Sequence, residues 1–430
     1  MALTRRAVLA ALVAVVAVLA VPALGTVLVA NGLLLGAVLA DLTLAGAISP
    51  LLLSRSGDTS VLLGESAAVT TTITNQGRRV LVADIRDSWQ PSAGATPHHS
   101  RVRLTPGGTG QITTRLTPGR RGDKTAARLT VRSLGPLGLA ARQAGRAAPW
   151  TVRVLPPFPS RRHLPEKLSR LRQFDGQHRS LHRGQGSEFD SLREYVVGDD
   201  VRSIDWRATA RRRDVMVRTW RPERDRRILA VLDTGRTSAG RVGGYPRLDA
   251  AMDATLLLTA LASRAGDRID MIAFDRRIRA RVIGASRPAA LSAVAHALAT
   301  VEPELVETNA RGLVSAALSA SRHRSLIVLL TDLNPAAMEE GLLPRVPLLA
   351  ARHQVVVAAV TDPTLQEMAA SHDSAEEVYD AAAAQQALAG RQRVSSLLQR
   401  HGVTVVDAPP GRFAVALADA YLGLKAAGRL

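Results

Sequence analysis

The hydrophobic positions of this chain change their spacing along its length, and each change predicts a different kind of structure. Residues 7–24 are almost wholly apolar, and after a short break a second apolar stretch continues to about residue 53. Apolar stretches of this kind are typical of membrane-spanning helices. Residues 1–53 are therefore predicted to form a transmembrane hairpin of two helices.

The charges that flank this hairpin predict its orientation. Arg5 and Arg6 precede the first stretch and Arg55 follows the second, and positive charge is retained on the cytoplasmic side of a membrane. The soluble part is therefore expected in the cytoplasm, and the protein in the cell membrane. Asn31 and Asp41 are costly in lipid, so we expect them near the membrane interface or against the partner helix.

A cleaved signal peptide is the alternative interpretation of the N-terminus. Val21-Pro22-Ala23 resembles a small-residue processing site that follows a short apolar region. We favour the hairpin because a signal peptide does not need a second apolar stretch.

Residues 54–155 alternate between apolar and polar positions in short runs rich in Thr and Val. A period of two predicts strands with one buried face, and Gly- and Pro-containing turns separate the runs. A small β-sandwich is the expected product. The runs are 68–74, 80–82, 111–116 and 127–131.

Residues 227–430 alternate between short apolar runs and longer amphipathic stretches. This rhythm predicts an α/β domain with a Rossmann-type parallel sheet that helices cover on both faces. Ligands of such sheets bind at the carboxyl ends of the strands. The predicted strands are 228–232, 268–274, 325–330, 354–360 and 403–406, and the predicted helices are 248–265, 288–301, 310–321 and 374–400.

Residues 156–226 are predicted to be a polar, Arg-rich connector that ends in a segment of dense, alternating charge. The balance of acids and arginines there favours an ordered ion-pair network over a cationic tail. The sequence EFDSLREYVVGDDVRSIDWRATAR resembles the signature of the bacterial family known as domain of unknown function 58. The signature positions are Glu188, Phe189, Arg193, Glu194, Tyr195, Gly198, Asp199, Asp200, Arg202, Asp205, Trp206 and Arg211.

The resemblance implies that residues 227–430 are a von Willebrand factor A-like domain with a metal-ion-dependent adhesion site. The positions that match this site are Asp233, Thr237, Thr308 and Asp332. Mg²⁺ prefers hard oxygen ligands, so the implied cofactor is Mg²⁺. Gly235 stands where the motif has a serine, so affinity should be weakened. In the alternative interpretation, Asp233 and Thr308 are capping residues and Asp332 holds a loop.

Composition narrows the function classes. The net charge of +19 suggests an anionic partner, but lysine occurs at only three positions, and the interleaved acids and the lack of an aromatic stacking series argue against nucleic acid. Cysteine is absent, which excludes disulfides and thiolate chemistry. No lysine follows a glycine, so a nucleotide-binding P-loop is excluded, and the common hydrolase motifs are missing. An enzyme is not expected.

The sequence therefore predicts a membrane-anchored, cytoplasm-facing protein-interaction module. Members of the resembled family are often encoded beside AAA+ ATPases of the MoxR type, so the resemblance implies such an ATPase as the partner. A metal-dependent phosphoryl hydrolase that uses Asp249 or Asp253 with the site acids is one alternative. A nucleic-acid-binding protein is another. Trp206 and Tyr195 are candidate partner contacts, but we favour their packing between the signature segment and the sheet.

Overall fold

The computed structural model describes residues 2–178, 188–212, 214–221 and 226–430. The chain divides into two compact units, Met1–Leu155 and Pro156–Leu430. The fold is mixed α/β, with several separate sheets. The first unit begins with helices and is otherwise β-rich, whereas the second contains most of the helices.

Two helices open the first unit and contact each other, α1 (Arg5–Ala20) and α2 (Leu24–Leu44). Among the described residues, α2 is the one helix whose length and apolar composition suit a membrane span. Helix α1 has 16 residues, which at 1.5 Å per residue is shorter than the hydrocarbon core of a bilayer. Asn31 is exposed, and its amide donates a hydrogen bond to the carbonyl of Val27 one turn earlier.

Asp41 joins the end of α2 to the β-rich part of the first unit. Its carboxylate is fully buried and accepts hydrogen bonds from the backbone N–H groups of Leu137, Leu139 and Ala140, at 2.6 to 2.8 Å. A Cβ on Gly135 would lie 2.1 Å from Asp41 Oδ1, so the close approach requires glycine there. Three backbone donors explain how a carboxylate is accommodated in this apolar helix.

The remainder of the first unit forms two sheets. One has the order β1-β10-β9-β5-β7, with β3 also paired to β10, and the other has the order β2-β4-β8-β6. The strands are β1 (Ala2–Leu3), β2 (Leu51–Gly57), β3 (Ser60–Leu62), β4 (Ala67–Asn75), β5 (Leu81–Trp89), β6 (Ala95–Thr96), β7 (His99–Leu104), β8 (Thr109–Leu116), β9 (Gly122–Leu134) and β10 (Ala140–Leu155).

The two sheets share an aliphatic core. Ile73 on β4 and Ile85 on β5 belong to different sheets and lie in one buried cluster, and the burial of β4 alternates strictly along the strand. The four predicted strand runs fall within β4, β5, β8 and β9 or at their margins. Face-to-face packing of this kind is a β-sandwich.

The second unit begins with a helix where the sequence had indicated a connector. Helix α3 (Leu164–His178) packs on two later helices of the same unit. Leu171 on this helix is buried, and the buried Lys167 forms an ion pair with Asp419 at 2.8 Å. The connector interpretation of this stretch was wrong, because the abundance of arginine obscured leucines at helical spacing.

The signature segment forms an antiparallel pair, β11 (Glu188–Glu194) and β12 (Met216–Arg221), with the short helix α4 (Trp206–Arg212) between them.

The central sheet follows, in the order β17-β16-β13-β18-β19-β20, and all neighbouring strands are parallel except β17 and β16. Its strands are β13 (Arg227–Asp233), β16 (Arg268–Phe274), β17 (Ile278–Val282), β18 (Leu326–Leu330), β19 (Gln354–Val360) and β20 (Thr404–Ala408). A small pair, β14 (Arg241–Val242) and β15 (Tyr245–Pro246), lies outside this sheet.

Helices cover both faces of this sheet, which is why successive residues of its inner strands are buried. Helices α8, α10 and α12 contribute to one buried cluster with alternate strand residues, whereas α6, α7 and α13 contact one another and the strands. The helices are α5 (Arg236–Ala239), α6 (Arg247–Arg264), α7 (Arg287–Leu298), α8 (Ala310–Ala320), α9 (Pro335–Ala337), α10 (Val346–Ala350), α11 (Pro363–Ala370), α12 (Ala375–Arg400) and α13 (Pro410–Ala426).

The predicted strands and helices of residues 227–430 lie within two residues of the observed ends in nearly every instance. The antiparallel edge strand β17 and the long helix α13 were not predicted. The strand order reverses between β13 and β18, because the chain first builds outward through β16 and then returns to the other side of β13. The carboxyl ends of β13 and β18 therefore open at the place where an α/β sheet offers a ligand crevice.

Candidate functional site

Asp233 lies at the carboxyl end of β13 and is 5% exposed. One carboxylate oxygen accepts hydrogen bonds from the Thr308 hydroxyl at 2.5 Å and from the Gly235 backbone N–H at 2.9 Å. The other accepts from the Thr331 hydroxyl at 2.7 Å and, more weakly, from the Thr237 hydroxyl at 3.4 Å. Donors from three loops thus converge on one buried carboxylate.

Burial raises the pKa of Asp233 above its usual value, and the hydroxyl and backbone donors act in the opposite direction. Removal of a carboxylate from water disfavours the charged form, whereas hydrogen bonds to the anion favour it. Every group that contacts its oxygens in this arrangement is a donor without formal charge. The ionised carboxylate is therefore only partly compensated.

Gly235 permits this arrangement by leaving space beside Asp233. A Cβ at this position would lie 2.1 Å from the Thr308 hydroxyl and 2.8 Å from the carbonyl of Val306. Asn309 follows Thr308 and caps helix α8 by accepting the N–H of Gly312. Thr308 is therefore held at the start of a helix, and its hydroxyl occupies the place that a serine side chain at position 235 would need.

Asp332, one residue beyond Thr331, binds arginine. One of its oxygens lies 2.5 Å from a guanidinium nitrogen of Arg391, and the other lies 3.5 Å from Arg247. Arg391 is buried on α12 and also pairs with Asp407 on β20 at 2.8 Å. The guanidinium of Arg391 thus bridges two acids from two strand ends.

A cavity of about 10 Å³ lies at this edge of the sheet. Its lining includes Thr237, Arg247, Thr331, Asp332 and Phe413. This volume is enough for about one water molecule. The cavity is therefore narrow as the side chains are placed.

The four residues implied as magnesium ligands divide into two groups. Thr237 and Thr308 surround Asp233 as the resemblance implies, and the structure adds Thr331 to them. Asp332 is bound to Arg391 and Arg247, so its oxygens are not free for an ion shared with Asp233. Among the described residues, no group of three or more His, Asp or Glu side chains is placed to hold a metal. Magnesium binding is therefore not supported by these side chains and stays a prediction.

Sequence reasoning missed the two arginines of this site, Arg391 and Arg247, and the second acid, Asp407. Arg391 lies 59 residues from Asp332 along the chain, and nothing in an alanine-rich helix indicates which strand end an arginine will reach. Arg247 and Asp407 are likewise distant from Asp332 along the chain, by 85 and 75 residues. Thr331 was visible beside Asp332, and its position at a strand end could have identified it.

Asp253, one acid of the hydrolase alternative, is engaged by Ser160. Asp253 accepts hydrogen bonds from the Ser160 hydroxyl at 2.8 Å and from the Ser160 backbone N–H at 3.2 Å. Burial raises the pKa of Asp253, and the Ser160 donors oppose that shift. Its contacts therefore attach α6 to the segment before α3.

The signature segment is held by local capping and two ion pairs. Asp205 caps α4 by accepting the N–H groups of Arg207 and Ala208, each at 3.0 Å, and it pairs with Arg218 at 2.8 Å. The pKa of Asp205 is lowered by the Ala208 N–H first and by Arg218 next. Arg193 pairs with Asp199 at 2.5 Å, and these hydrogen bonds lower the pKa of Asp199. An ordered network therefore exists in the described part of this segment.

The other signature residues take different places. Asp200 caps a short 3₁₀ turn by accepting the N–H of Arg202, and Gly198 adopts a positive φ of 110°, which favours glycine. Glu194 and Arg211 are exposed. The side chains of Glu188 and Phe189 lie outside the described part of the structure.

The packing interpretation of Trp206 was wrong. Its side chain is 70% exposed, and Tyr195 is only half-buried. The buried apolar residues of this segment are Met216 and Val217 on β12. Residue type alone does not indicate that a tryptophan at the first position of α4 is exposed.

Comparison with known proteins supports the resemblance over part of the chain. Residues 191–395 match the family described as "Protein of unknown function DUF58". Uncharacterized proteins of Mycobacterium tuberculosis (strain H37Rv) and Mycobacterium bovis are each 29% identical over 193 residues, which is 44% of this chain. The match spans 59% of the length of these curated relatives.

Solved structures show only weak likeness. A CARDB domain from Pyrococcus furiosus, crystallised with di-metal ions, is 18% identical with a TM-score of 0.19, and the match covers 24% of this chain and 87% of that one. A fragment of native alpha-2-macroglobulin from Escherichia coli is 16% identical with a TM-score of 0.22, over 26% of this chain and 17% of that one. Scores of this size carry no argument about the site.

Proposed function

We propose that this chain is a membrane-anchored protein-interaction module that faces the cytoplasm and acts as the partner of an AAA+ ATPase of the MoxR type. The convergence of loop residues at the carboxyl edge of the central sheet is the observation that carries the proposal. A narrow cavity and acids engaged with arginines suit a docking face better than a catalytic centre.

The anchor in this proposal is a hairpin of α1 and α2. Apolar side chains on both helices are exposed in the protein, among them Leu12 at 60%, Leu19 at 75%, Leu28 at 65% and Leu33 at 71%. A surface of this kind calls for lipid or another apolar environment. Arg5, at the start of α1, supports the cytoplasmic assignment.

The second unit is proposed to be a von Willebrand factor A-like domain. The strand order, the single antiparallel edge strand and the helices on both faces support this assignment. The adhesion site of such a domain would be altered here, because Arg391 supplies positive charge beside Asp332. In the proposed module, docking depends on side chains at this edge and does not require an added ion.

Site-specific photo-cross-linking in cells tests the proposal. A photoreactive amino acid replaces Glu307, whose side chain is 61% exposed beside the Asp233 loop and pairs with Arg236. The matched control carries it at the exposed His323, which precedes β18 at the opposite edge of the sheet. We expect an AAA+ ATPase to be identified by mass spectrometry from position 307 and not from position 323. Equal yields at both positions, or no ATPase at either, would overturn the proposal.

A further inference from the structure

Helix α4 presents a tryptophan and arginines on one exposed face. At 100° per residue, Trp206, Arg207, Ala210 and Arg211 fall within about 140° of the helix circumference, and all four are exposed. Trp206 at 70% exposure is an unusual surface residue, since a ring of this size normally buries most of its area. We call these four residues the α4 face.

Two acids near the α4 face are already engaged by arginines that lie outside it. Asp199 pairs with Arg193, and Asp205 both caps α4 and pairs with Arg218. Helix α4 itself contains no acid. Within the described residues, Arg207 and Arg211 form no ion pair. The α4 face therefore combines one large exposed apolar side chain, Trp206, with two arginines that are free to pair with a partner's carboxylates.

The backbone beneath this face is fixed before any partner binds. The Thr209 hydroxyl donates to the carbonyl of Asp205 at 2.8 Å and accepts the N–H of Met216 at 3.0 Å. The N–H of Asp205 donates to the carbonyl of Met216 at 2.8 Å. These bonds hold α4 against β12, so α4 loses little conformational entropy when a partner binds.

We propose that the α4 face is a docking surface for an acidic protein segment that has an apolar side, such as an amphipathic helix with glutamates beside leucines. Arginine pairs with carboxylates through two parallel hydrogen bonds, and tryptophan and arginine dominate the energetically important contacts of protein interfaces. The proposal rests on the proposed function in one respect, that the chain acts by binding protein. It adds the chemistry of the partner and a contact made by residues other than those gathered around Asp233.

Two other anionic partners fit less well. A helix that lies on a membrane needs a long apolar stripe, whereas α4 has seven residues and one large apolar side chain. A single-stranded nucleic acid needs a series of stacking aromatics, and the α4 face has one. Charge and shape together therefore favour a compact acidic segment of protein.

Fluorescence anisotropy with defined peptides tests the docking surface. The full chain in neutral lipid nanodiscs is titrated against a labelled helical peptide that carries a leucine stripe flanked by glutamates, and against the same peptide with lysines for glutamates. We expect the acidic peptide to bind at least tenfold more tightly than the basic one. Both Trp206→Ala and the double change Arg207→Glu with Arg211→Glu should weaken binding at least tenfold.

Matched controls separate the surface from general charge and exposure. Tyr245 is also 70% exposed, and Tyr245→Ala should change the affinity less than twofold. The double change Arg322→Glu with Arg324→Glu removes the same charge elsewhere and should also leave the affinity within twofold. Hydrogen exchange of β11 and β12 shows that each variant retains the fold.

Three results would overturn the docking surface. They are equal binding of the acidic and basic peptides, an unchanged affinity in the Trp206→Ala variant, and protection of residues 196–212 from exchange by anionic nanodiscs without peptide. The last result would identify a membrane contact. Failure of the cross-link at position 307 would leave these measurements unaffected, so the two proposals fail separately.

Discussion

Replacement of Arg391 by methionine should destabilise the second unit by about 3 kcal/mol, because it removes the closer cation of the buried Asp332. Removal of one partner of a buried ion pair costs about 3–5 kcal/mol. The side chains of Arg391 and Asp332 are 8% and 7% exposed. Two features favour the lower end of the range. Arg247 remains 3.5 Å from Asp332, and Asp407 is 29% exposed, so water can reach it.

Hydrogen exchange measured by mass spectrometry on the full chain is the appropriate assay. Because the chain has two compact units, a single unfolding midpoint would mix their stabilities, whereas peptides from β18 and β19 monitor the second unit alone. A loss of about 3 kcal/mol corresponds to a rise of roughly 150-fold in the opening constant of these strands. Peptides from β4 and β8 in the first unit should exchange at an unchanged rate.

A double-mutant cycle decides whether the loss comes from the ion pair. Arg391→Met combined with Asp332→Asn removes the uncompensated buried charge, so the pair of changes should cost less than the sum of the two single changes. We expect a coupling free energy of about 1–3 kcal/mol. Additive single changes, or a loss below about 1 kcal/mol for Arg391→Met, would refute the assignment of Arg391 as the internal cation of this edge.

Three further predictions concern positions where close packing or charge is decisive. Gly235→Ser should destabilise the second unit by about 1–3 kcal/mol through overpacking against Thr308. Addition of Thr308→Ala should recover part of this loss in the same exchange assay. Full tolerance of the serine would contradict the described geometry. The raised pKa of Asp233 means that ionisation of this carboxyl group destabilises the folded state. The free energy of unfolding should therefore fall as the pH rises from about 4 through the folded-state pKa. Asp233→Asn should abolish this fall, and identical pH profiles of the two proteins would exclude it. Gly135→Ala should expose the 137–140 loop to exchange, since the added methyl group meets Asp41. The matched control is Gly119→Ala, at an exposed glycine whose added methyl group would meet no atom within 4 Å, and it should leave that loop protected.

Regular elements were predictable where burial is periodic. The strands of the central sheet are short apolar runs between amphipathic helices, and their spacing alone indicated a parallel α/β sheet. Helix α3 could have been predicted in the same way from Leu164, Leu168 and Leu171. The edge strand β17 is half-exposed and rich in arginine, so its sequence lacks the apolar run that indicates an inner strand.

The candidate site was only half predictable, for a different physical reason. Asp233, Thr308 and Asp332 follow strands or precede a helix, and parallel topology gathers such positions at one edge. The partner of Asp332 is an arginine inside α12, and its approach depends on how that helix packs. Gly390 shows how close the packing is, since a Cβ there would lie 2.9 Å from Pro335. Contacts set by helix docking are not encoded in local sequence spacing.

Arg391 belongs to the chain, so its positive charge at the proposed docking edge is permanent, unlike that of a bound metal ion. A bound magnesium ion exchanges with solvent, so an edge that depends on it responds to the metal concentration and leaves a coordination position open to a partner carboxylate. A guanidinium on a helix does neither, because it is always charged and its donors already bind Asp332 and Asp407. An edge closed in this way would bind its partner through exposed side chains such as Arg236. Addition of a chelator should therefore leave the cross-link from position 307 unchanged. Loss on chelation that the Asp233→Asn variant does not share would instead indicate a metal ion at this edge.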